Sequence, residues 1–399
     1  MAKAKKKWMR FRHRVVRNLL GPPVGLYSRI AYGIRIEKFR EQGKRPYLIL
    51  FNHQTAFDQF FVGLAFRGPV YYLASEDLFS NGWVSSLIRW LVAPIPIKKQ
   101  ATDIAAVKRC LAVAKEGGTI ALAPEGNRTY DGKTTYINPA IVPLARKLGM
   151  PIALYRIEGG YGVQPRWSDG TRRGKMRSYV SRVIEPEEYK DLSNDELLAM
   201  IEEGLLVDEG LADGIFRSAR RAEYLERAMY VCPTCGLSTF ESHGNEITCK
   251  RCGLTVHYGE DKRLSGAEAV FPFGFTTEWY AYQQEFVQKL DLAPFTDAPM
   301  YRERAQLSEV FLQKRKDVLA ADAAVALFGD RITIDERVLP FDELSAVTLL
   351  GRNKLNVYHG DKVYQLKGDK RFNALKYVNI YHRYKNVKRG EACGQFLGL

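Results

Sequence analysis

The sequence predicts an α/β domain with a mostly parallel sheet covered by helices, then a four-cysteine zinc ribbon, then a small β-rich domain. Three observations predict this order. Short apolar runs alternate with helix-like segments between residues 46 and 184, two cysteine pairs follow, and short alternating strands separated by glycine turns begin at residue 317. The predicted segments are 1–45, 46–184, 185–230, 231–260, 261–316 and 317–399.

The first segment, 1–45, carries most of the formal net charge of +15. It contains 14 Lys and Arg against only Glu37 and Glu41, a local charge of +12. Apolar residues recur at helical spacing among these charges, which predicts a basic amphipathic helix that Gly21-Pro22-Pro23 ends, followed by a second helix. We expect an anionic membrane surface as its partner. A solvated basic tail is the alternative, and a nucleic-acid arm is less favoured.

The apolar runs of the chain are short. None approaches the ~18–20 residues that cross a bilayer, and the N-terminus lacks the uninterrupted apolar core of a signal peptide. We therefore expect neither an integral membrane protein nor a secreted one, but a peripheral protein on the cytoplasmic face of a membrane.

The predicted α/β domain has four strands and four helices. The strands are 47–51, 70–73, 119–123 and 152–157, and the helices are 60–66, 84–91, 104–115 and 141–148. In open sheets of this class, ligands bind beyond the carboxyl ends of the strands. Two segments with unusual polar side chains follow strands of this sheet directly.

The first polar segment is Asn52-His53-Gln54-Thr55-Ala56-Phe57-Asp58, after the strand 47–51. A histidine in the turn and an aspartate in the first turn of the next helix can meet. The carboxylate then accepts one imidazole N–H and leaves the other ring nitrogen as a general base. Because the segment has no nucleophilic Ser or Cys, we expect the substrate to supply the attacking hydroxyl. The alternative is a turn histidine beside a helix-capping aspartate.

The second polar segment is Pro124-Glu125-Gly126-Asn127-Arg128-Thr129, after the strand 119–123. Glycine allows a tight backbone turn, and Arg128 presents a planar guanidinium suited to phosphate. Phosphate or hydroxyl recognition at this strand end is therefore predicted.

Together the two segments resemble the conserved blocks of the glycerolipid acyltransferases, in particular the lysophosphatidic acid acyltransferases. Asn52, His53 and Asp58 match the block N-H-x4-D. The block F-P-E-G-T-R-S is matched at Pro124, Glu125, Gly126 and Arg128. In a further block, Lys99 stands where the family has arginine. The resemblance covers about residues 15–185.

The resemblance implies a role for each matched residue. His53 would be the general base and Asp58 its orienting carboxylate, while the substrate would contact Asn52, Lys99, Glu125, Gly126 and Arg128. The implied reaction moves an acyl group from acyl-CoA or an acyl carrier protein to the free hydroxyl of 1-acyl-glycerol 3-phosphate. Another lysophospholipid or hydroxyl acceptor is the first alternative, and a non-catalytic lipid- or partner-binding protein is the second.

A zinc ribbon is predicted after an acidic connector. Residues 185–230 contain 13 Asp and Glu against 5 Lys and Arg. Ser193 and Glu196 form a capping-box signal before a helical apolar stripe from Leu197 to Leu205, and a second helix is expected at about 215–229. Two C-x-x-C-G knuckles then place Cys232, Cys235, Cys249 and Cys252 at the spacing of a four-thiolate zinc site. Four protein ligands leave no open coordination position, so the zinc would be structural.

The last segment, 317–399, has five short strand patterns and a final helical pattern near 373–384. A small antiparallel sheet closed by a C-terminal helix resembles the pleckstrin-homology-like fold in pattern only. Its basic residues could face phospholipid, and the alternative is a small structural β domain.

Overall fold

The computed structural model describes residues 7–79, 82–97, 103–134, 136–211, 213–267, 270–311 and 315–390. The chain divides into two units. Unit 1 comprises residues 1–164, 173–209 and 312–314, and unit 2 comprises 165–172, 210–311 and 315–399. The six segment boundaries predicted above stay predictions.

Unit 1 is built on a mixed seven-stranded sheet. In chain order its strands are β1 (Ile34–Ile36), β2 (Leu48–Phe51), β3 (Val70–Ser75), β4 (Ile95–Ile97), β5 (Thr119–Leu122), β6 (Ile152–Glu158) and β7 (Met176–Ile184). They lie in the order β1-β7-β6-β2-β5-β3-β4. All neighbouring pairs are parallel except β6 and β7. The sheet is therefore mixed, with one antiparallel pair in an otherwise parallel arrangement.

Four helices of unit 1 lie within two residues of the predicted bounds 60–66, 84–91, 104–115 and 141–148. The helices of unit 1 are α1 (Phe11–Tyr32), α2 (Asp58–Ala65), α3 (Gly82–Val92), α4 (Ile104–Lys115), α5 (Ile141–Leu148), α6 (Gly160–Val163), α7 (Pro186–Tyr189) and α8 (Asn194–Leu205). The apolar sides of α4, α5 and α8 form a core with the central strands. That core positions the carboxyl ends of β2 and β5 side by side.

The prediction that Gly21-Pro22-Pro23 ends the first helix is wrong, because α1 continues through both prolines. The carbonyl groups that lose their helical donors belong to Asn18 and Leu19, which are exposed, so water can satisfy them. The two glycines nearby allow close packing, since a Cβ atom on Gly25 would lie 3.7 Å from the side chain of Leu64. Packing against α2 therefore maintains the helix.

Unit 2 contains a small β region around the four cysteines. Its strands are β8 (Val231–Cys232), β9 (Gly236–Leu237), β10 (Phe240–His243), β11 (Glu246–Cys249), β12 (Thr255–Tyr258) and β13 (Leu264–Gly266), and α9 (Thr276–Lys289) follows. β8 pairs with β9, and β10 to β13 form a four-stranded meander. The cysteines lie at β8 and β11 and in the turns that follow them.

The predicted helix at 215–229 is wrong, because only Leu225–Arg227 form a short 3-10 turn there. Contacts with the neighbouring hairpin replace helical hydrogen bonds. The Ala222 N–H donates to the Gly244 carbonyl over 2.9 Å, and the Tyr224 N–H donates to Ser242 Oγ over 2.6 Å. Tyr224 also has a φ of 72°, which ends any helical continuation at that point.

The rest of unit 2 is a seven-stranded antiparallel sheet and a C-terminal helix. The strands are β14 (Tyr301–Phe311), β15 (Arg315–Leu327), β16 (Arg331–Ile334), β17 (Arg337–Pro340), β18 (Leu344–Leu350), β19 (Lys354–His359) and β20 (Lys362–Gly368), and the helix is α10 (Leu375–Lys388). The strand order is β17-β16-β15-β14-β20-β19-β18. The sheet begins at Tyr301 rather than near residue 317. β14 was not predicted because its many charged residues obscure the apolar alternation that is typical of a strand.

Candidate active site

The turn between β2 and α2 brings a histidine and an aspartate together. His53 lies in this turn, Asp58 is the first residue of α2, and the His53 Nδ1 atom is 2.8 Å from Asp58 Oδ2. The His53 side chain is 25% exposed, whereas the Asp58 side chain is fully buried. A carboxylate that accepts the Nδ1 proton leaves Nε2 as the basic nitrogen. The pair therefore has the arrangement that general base chemistry needs.

The Asp58 carboxylate also organises the turn itself. It accepts hydrogen bonds from the Gln54 N–H at 2.7 Å, from the Thr55 N–H at 2.9 Å and from Thr55 Oγ1 at 2.6 Å. A buried charge is tolerated when such donors surround it. The same donors hold the carboxylate in one orientation, so the imidazole of His53 is held as well.

Glu125 joins the second polar segment to the first. Its Oε1 atom accepts the backbone N–H of His53 over 2.7 Å, and the Thr129 N–H donates to the His53 carbonyl over 3.1 Å. Glu125 is buried, with 3% exposure. The structure therefore places Glu125 against the backbone of the histidine, where it positions the turn.

Gly126 and Arg128 follow in the same loop. Gly126 has a φ of +72°, in the region that favours glycine, and the position of a Cβ atom there is open space. Arg128 is partly buried. Burial raises the pKa of the Tyr32 phenol, and the charges of Asp58 and Arg128 act on the same group in opposite directions. Both charges therefore lie near Tyr32. Lys99, the other predicted phosphate ligand, lies outside the described residues.

Asn52 has a different position from the one expected. Its side chain is fully buried, its Nδ2 donates to the Ile157 carbonyl over 2.9 Å, and its Oδ1 accepts the Ile157 N–H over 2.7 Å. We expected contact with substrate. The carboxamide instead links the end of β2 to β6, because both of its polar atoms are used by backbone groups of the neighbouring strand.

Sequence analysis did not identify two side chains that contact this turn. Gln164 Oε1 accepts the Ala56 N–H over 3.0 Å, and Gln164 Nε2 donates to the Tyr32 hydroxyl over 3.2 Å. A further signal was present in the Gly159-Gly160 pair after β6. A Cβ atom on Gly160 would lie 2.5 Å from the Cβ of Gln54, so the turn packs directly against the glycine backbone.

The four cysteines of unit 2 are brought together as predicted. Their sulfur atoms all lie within 4.8 Å of one another, and the Cys232–Cys252 and Cys235–Cys249 pairs are 3.6 Å apart. Zinc bound by four thiolates at about 2.3 Å places neighbouring sulfurs about 3.8 Å apart. The observed spacing fits a tetrahedral metal site. The Ser238 hydroxyl lies 3.1 Å from the sulfur of Cys249, as expected for a group that supports a thiolate ligand.

Residues 33–157 match the family model described as Acyltransferase. A 1-acyl-sn-glycerol-3-phosphate acyltransferase of Bacillus subtilis is 22% identical over 136 residues, which is 34% of this chain and 65% of the relative. Chloroplastic relatives of the same name from Arabidopsis thaliana and Brassica napus are 23% and 24% identical, over 41% and 35% of this chain. This chain spans 47% and 41% of their lengths.

A solved structure is also similar, the 1-acyl-sn-glycerophosphate acyltransferase PlsC from Thermotoga maritima. It is 24% identical with a TM-score of 0.40, and the match covers 49% of this chain and 80% of that chain. The matched family segment contains both His53 and Glu125. Residues 33–157 of this chain are therefore similar to the acyltransferase family, and the matched relatives are named 1-acyl-sn-glycerol-3-phosphate acyltransferases.

Proposed function

We propose that this protein transfers a fatty acyl group from a thioester to the free hydroxyl of 1-acyl-glycerol 3-phosphate, which gives phosphatidic acid. The names of the relatives support this acceptor. The observation that carries the proposal is the contact of 2.8 Å between His53 Nδ1 and Asp58 Oδ2, at the carboxyl end of β2 and beside Glu125. This geometry supplies a general base for a hydroxyl substrate.

The reaction then follows from the orientation of the imidazole. Nε2 of His53 takes the proton of the acceptor hydroxyl while that oxygen attacks the thioester carbonyl carbon. A carbon–oxygen bond forms, the carbon–sulfur bond breaks, and the thiol leaves with the proton that the imidazolium returns. Asp58 stabilises the imidazolium while the proton resides on His53. General base catalysis of this kind contributes roughly 10²–10⁴-fold.

The phosphate of the acceptor requires cationic groups near the turn. Arg128 follows the Gly126 turn in the loop next to His53, and its guanidinium can bind a phosphate through two parallel N–H groups. Lys99 would add a point charge without that geometry. Either coenzyme A or acyl carrier protein would present the thioester. Another lysophospholipid as acceptor is the alternative within this class.

The protein would act at an anionic membrane surface on the cytoplasmic face. Exposed apolar side chains lie on α1 and α3, among them Phe11 (80%), Ile30 (75%) and Trp83 (76%). Residues 7–36 carry only positive charges among their ionised side chains. Apolar and basic side chains on the same helices favour peripheral binding to anionic lipid. Within the described residues, none of the helices combines the length and apolarity of a membrane span.

Unit 2 would add a structural zinc and a recognition domain. Cys232, Cys235, Cys249 and Cys252 would hold the metal, and four thiolate ligands leave no position for a reacting water. The seven antiparallel strands followed by α10 support the pleckstrin-homology-like interpretation of the last domain. The strand order and the C-terminal helix are the support for this comparison.

The test is an acyl-transfer assay with purified protein, lysophosphatidic acid in lipid vesicles, and both thioester donors. We expect phosphatidic acid from the wild type and a loss of roughly 10²–10⁴-fold in His53→Ala, because the general base is removed. His359→Ala is the matched control, because this histidine belongs to unit 2, where its Nε2 atom lies 2.9 Å from Glu343 Oε2.

The outcome distinguishes the two classes of function. Turnover that is lost in His53→Ala but kept in His359→Ala supports the enzyme. Vesicle binding by the wild type without turnover on any lysophospholipid would favour the non-catalytic lipid-binding alternative.

A further inference from the structure

We infer that Tyr32 and Gln164 are positioning residues that fix the catalytic turn relative to the end of α1. The inference rests on the proposed function, because the turn 52–58 is catalytic only if His53 acts as the base. Neither residue belongs to the two polar segments that carry the family resemblance.

Among the backbone N–H groups of residues 54–57, three bind side chains of the turn itself. The N–H groups of Gln54 and Thr55 bind Asp58, and the Phe57 N–H binds Thr55 Oγ1. The Ala56 N–H, in contrast, donates to Gln164 Oε1 over 3.0 Å. Gln164 therefore provides a hydrogen bond to the middle of the turn from a distant part of unit 1.

The amide nitrogen of the Gln164 side chain, Nε2, connects the turn to α1. Gln164 Nε2 donates to the Tyr32 hydroxyl over 3.2 Å, and both side chains are buried, with 7% and 4% exposure. The Tyr32 ring also stacks on Phe57, with centroids 5.3 Å apart and planes inclined by 22°. Tyr32 is thus connected to the turn in two ways. Its ring contacts Phe57 directly, and its hydroxyl is linked to Ala56 through Gln164.

The end of α1 is itself fixed in place. Gly33, directly after Tyr32, has a φ of +60°, and a Cβ atom there would lie 2.2 Å from the Gly174 carbonyl oxygen. The Gly33 carbonyl accepts the Met176 N–H, and β1 then pairs with β7. A rigidly seated tyrosine can transmit the position of α1 to the turn, whereas a mobile one could not.

Loss of either side chain should change the positions of His53 and Asp58 rather than remove a group that transfers a proton. The hydrogen bonds of Gln164 go to the backbone of the turn and to Tyr32, so the inferred role of both side chains is positioning rather than proton transfer. If the hydrogen bonds are lost, Ala56 and Phe57 can shift, and His53 and Asp58 lie on either side of them. Displacement of a catalytic group by about 1 Å can lower turnover by roughly 10²-fold.

The first readout is steady-state kinetics on vesicles for Tyr32→Phe, Gln164→Leu and the double variant. We expect kcat to fall by roughly 10- to 100-fold in Gln164→Leu and by less in Tyr32→Phe, while KM for both substrates changes by less than about two-fold. If both residues act through one connection, the double variant is no slower than Gln164→Leu.

Two control variants separate positioning from general stability. Tyr27→Phe also deletes a phenol hydroxyl from α1, but this hydroxyl forms no hydrogen bond within the part of the chain that the structure describes. Gln42→Leu removes another buried carboxamide that makes two backbone hydrogen bonds, both to Arg67 and distant from the turn. We expect Gln42→Leu to lower the unfolding temperature without a comparable loss of kcat.

The second readout does not depend on activity. Hydrogen exchange measured by mass spectrometry on peptides covering residues 52–58 should accelerate by roughly three- to ten-fold at Ala56 in both positioning variants. Unchanged exchange together with kcat within two-fold of wild type would overturn the inference. A wild-type protein that acylates no acceptor would refute the proposed function, and the exchange data would still decide whether the connection exists.

Discussion

Asp58 accepts hydrogen bonds from four groups of its own turn: His53 Nδ1, the N–H groups of Gln54 and Thr55, and the hydroxyl of Thr55. All four donors belong to the chain itself. A preorganised carboxylate does not need to reorient when charge develops on the imidazole, which is the condition for efficient electrostatic stabilisation. The polar groups of the turn therefore orient the Asp58 carboxylate, while Glu125 and Gln164 accept hydrogen bonds from backbone N–H groups of the same turn.

A second residue-scale feature is the half-buried imidazole of His382 on α10. Burial lowers its pKa to about 4, and the charge of Arg389 contributes in the same direction. The unfolded chain takes up this proton below about pH 6.5, and the folded protein takes it up only near pH 4. The free energy of unfolding of unit 2 should therefore fall by up to about 3 kcal/mol as the pH is lowered from 6.5 to 4.

The measurement is denaturant unfolding at several pH values for the wild type and His382→Leu. We expect the variant to lose less stability over this range, because the group that titrates only in the unfolded state is absent. His257→Leu, at an exposed histidine, should keep the wild-type slope. Parallel slopes for all three proteins would show that His382 does not have the lowered pKa.

At the scale of elements, the length of α1 depends on its contacts with the rest of unit 1. Two prolines in its interior would end an isolated helix, yet α1 continues to Tyr32. Arg17 Nη2 donates to the Phe66 carbonyl over 2.7 Å and His13 Nδ1 lies 3.0 Å from the Tyr71 hydroxyl, so the half of α1 that precedes the prolines is anchored on unit 1. Its outer side remains apolar and exposed.

The exposed side of α1 leads to a prediction about membranes. Leu19 and Ile30 are 69% and 75% exposed, so replacing both with Gln should leave the unfolding temperature almost unchanged. Binding to anionic vesicles should weaken by about tenfold or more, because two apolar side chains no longer enter the lipid. Vesicle co-sedimentation at several salt concentrations measures this effect.

The matched control is Val270→Gln, which changes an apolar side chain that is 97% exposed in unit 2. It should bind vesicles as the wild type does. If the two α1 substitutions had no more effect than the control, the proposed contact between α1 and lipid would be wrong.

At the scale of the whole molecule, the cysteine site is tied to the rest of unit 2. Trp279 Nε1 donates to the Val231 carbonyl over 2.9 Å, and Gln283 Oε1 accepts the N–H groups of Tyr230 and Val231. The Tyr301 hydroxyl, at the start of β14, donates to the Tyr230 carbonyl over 3.2 Å. The segment 230–232 therefore contacts both α9 and β14, so we expect that loss of a metal bound by the cysteines would affect all of unit 2.

We expect about one zinc per chain by metal analysis of purified protein. Cys235→Ser and Cys252→Ser should lose the zinc and unfold at lower temperature, because the binding free energy of a structural zinc contributes to folding. Cys110→Ala, at a buried cysteine of unit 1, should keep the full zinc content. An iron–sulfur chromophore, or wild-type protein without metal, would contradict this assignment.

The sequence pattern predicted the elements around the site closely. α4 and α5 have the predicted bounds, and β2 and β5 differ from prediction by one residue at one end. Such elements are predictable because apolar periodicity and caps are local properties. β14 and the segment 215–229 were not predicted correctly, because their backbone partners come from distant strands and hairpins. The pattern of neighbouring residues does not indicate which distant residues will be hydrogen-bond partners.

By itself, the sequence determined the alternation of strands and helices, the two polar segments that contain His53 and Glu125, and the spacing of the four cysteines. Only the tertiary structure decided that Asn52 links β2 to β6, that Glu125 supports the His53 backbone, and that Gln164 and Tyr32 contact the turn. The physical reason is the separation along the chain of the residues that interact. Side-chain chemistry and periodicity are properties of neighbouring residues, whereas these hydrogen bonds join residues 72 to 132 positions apart.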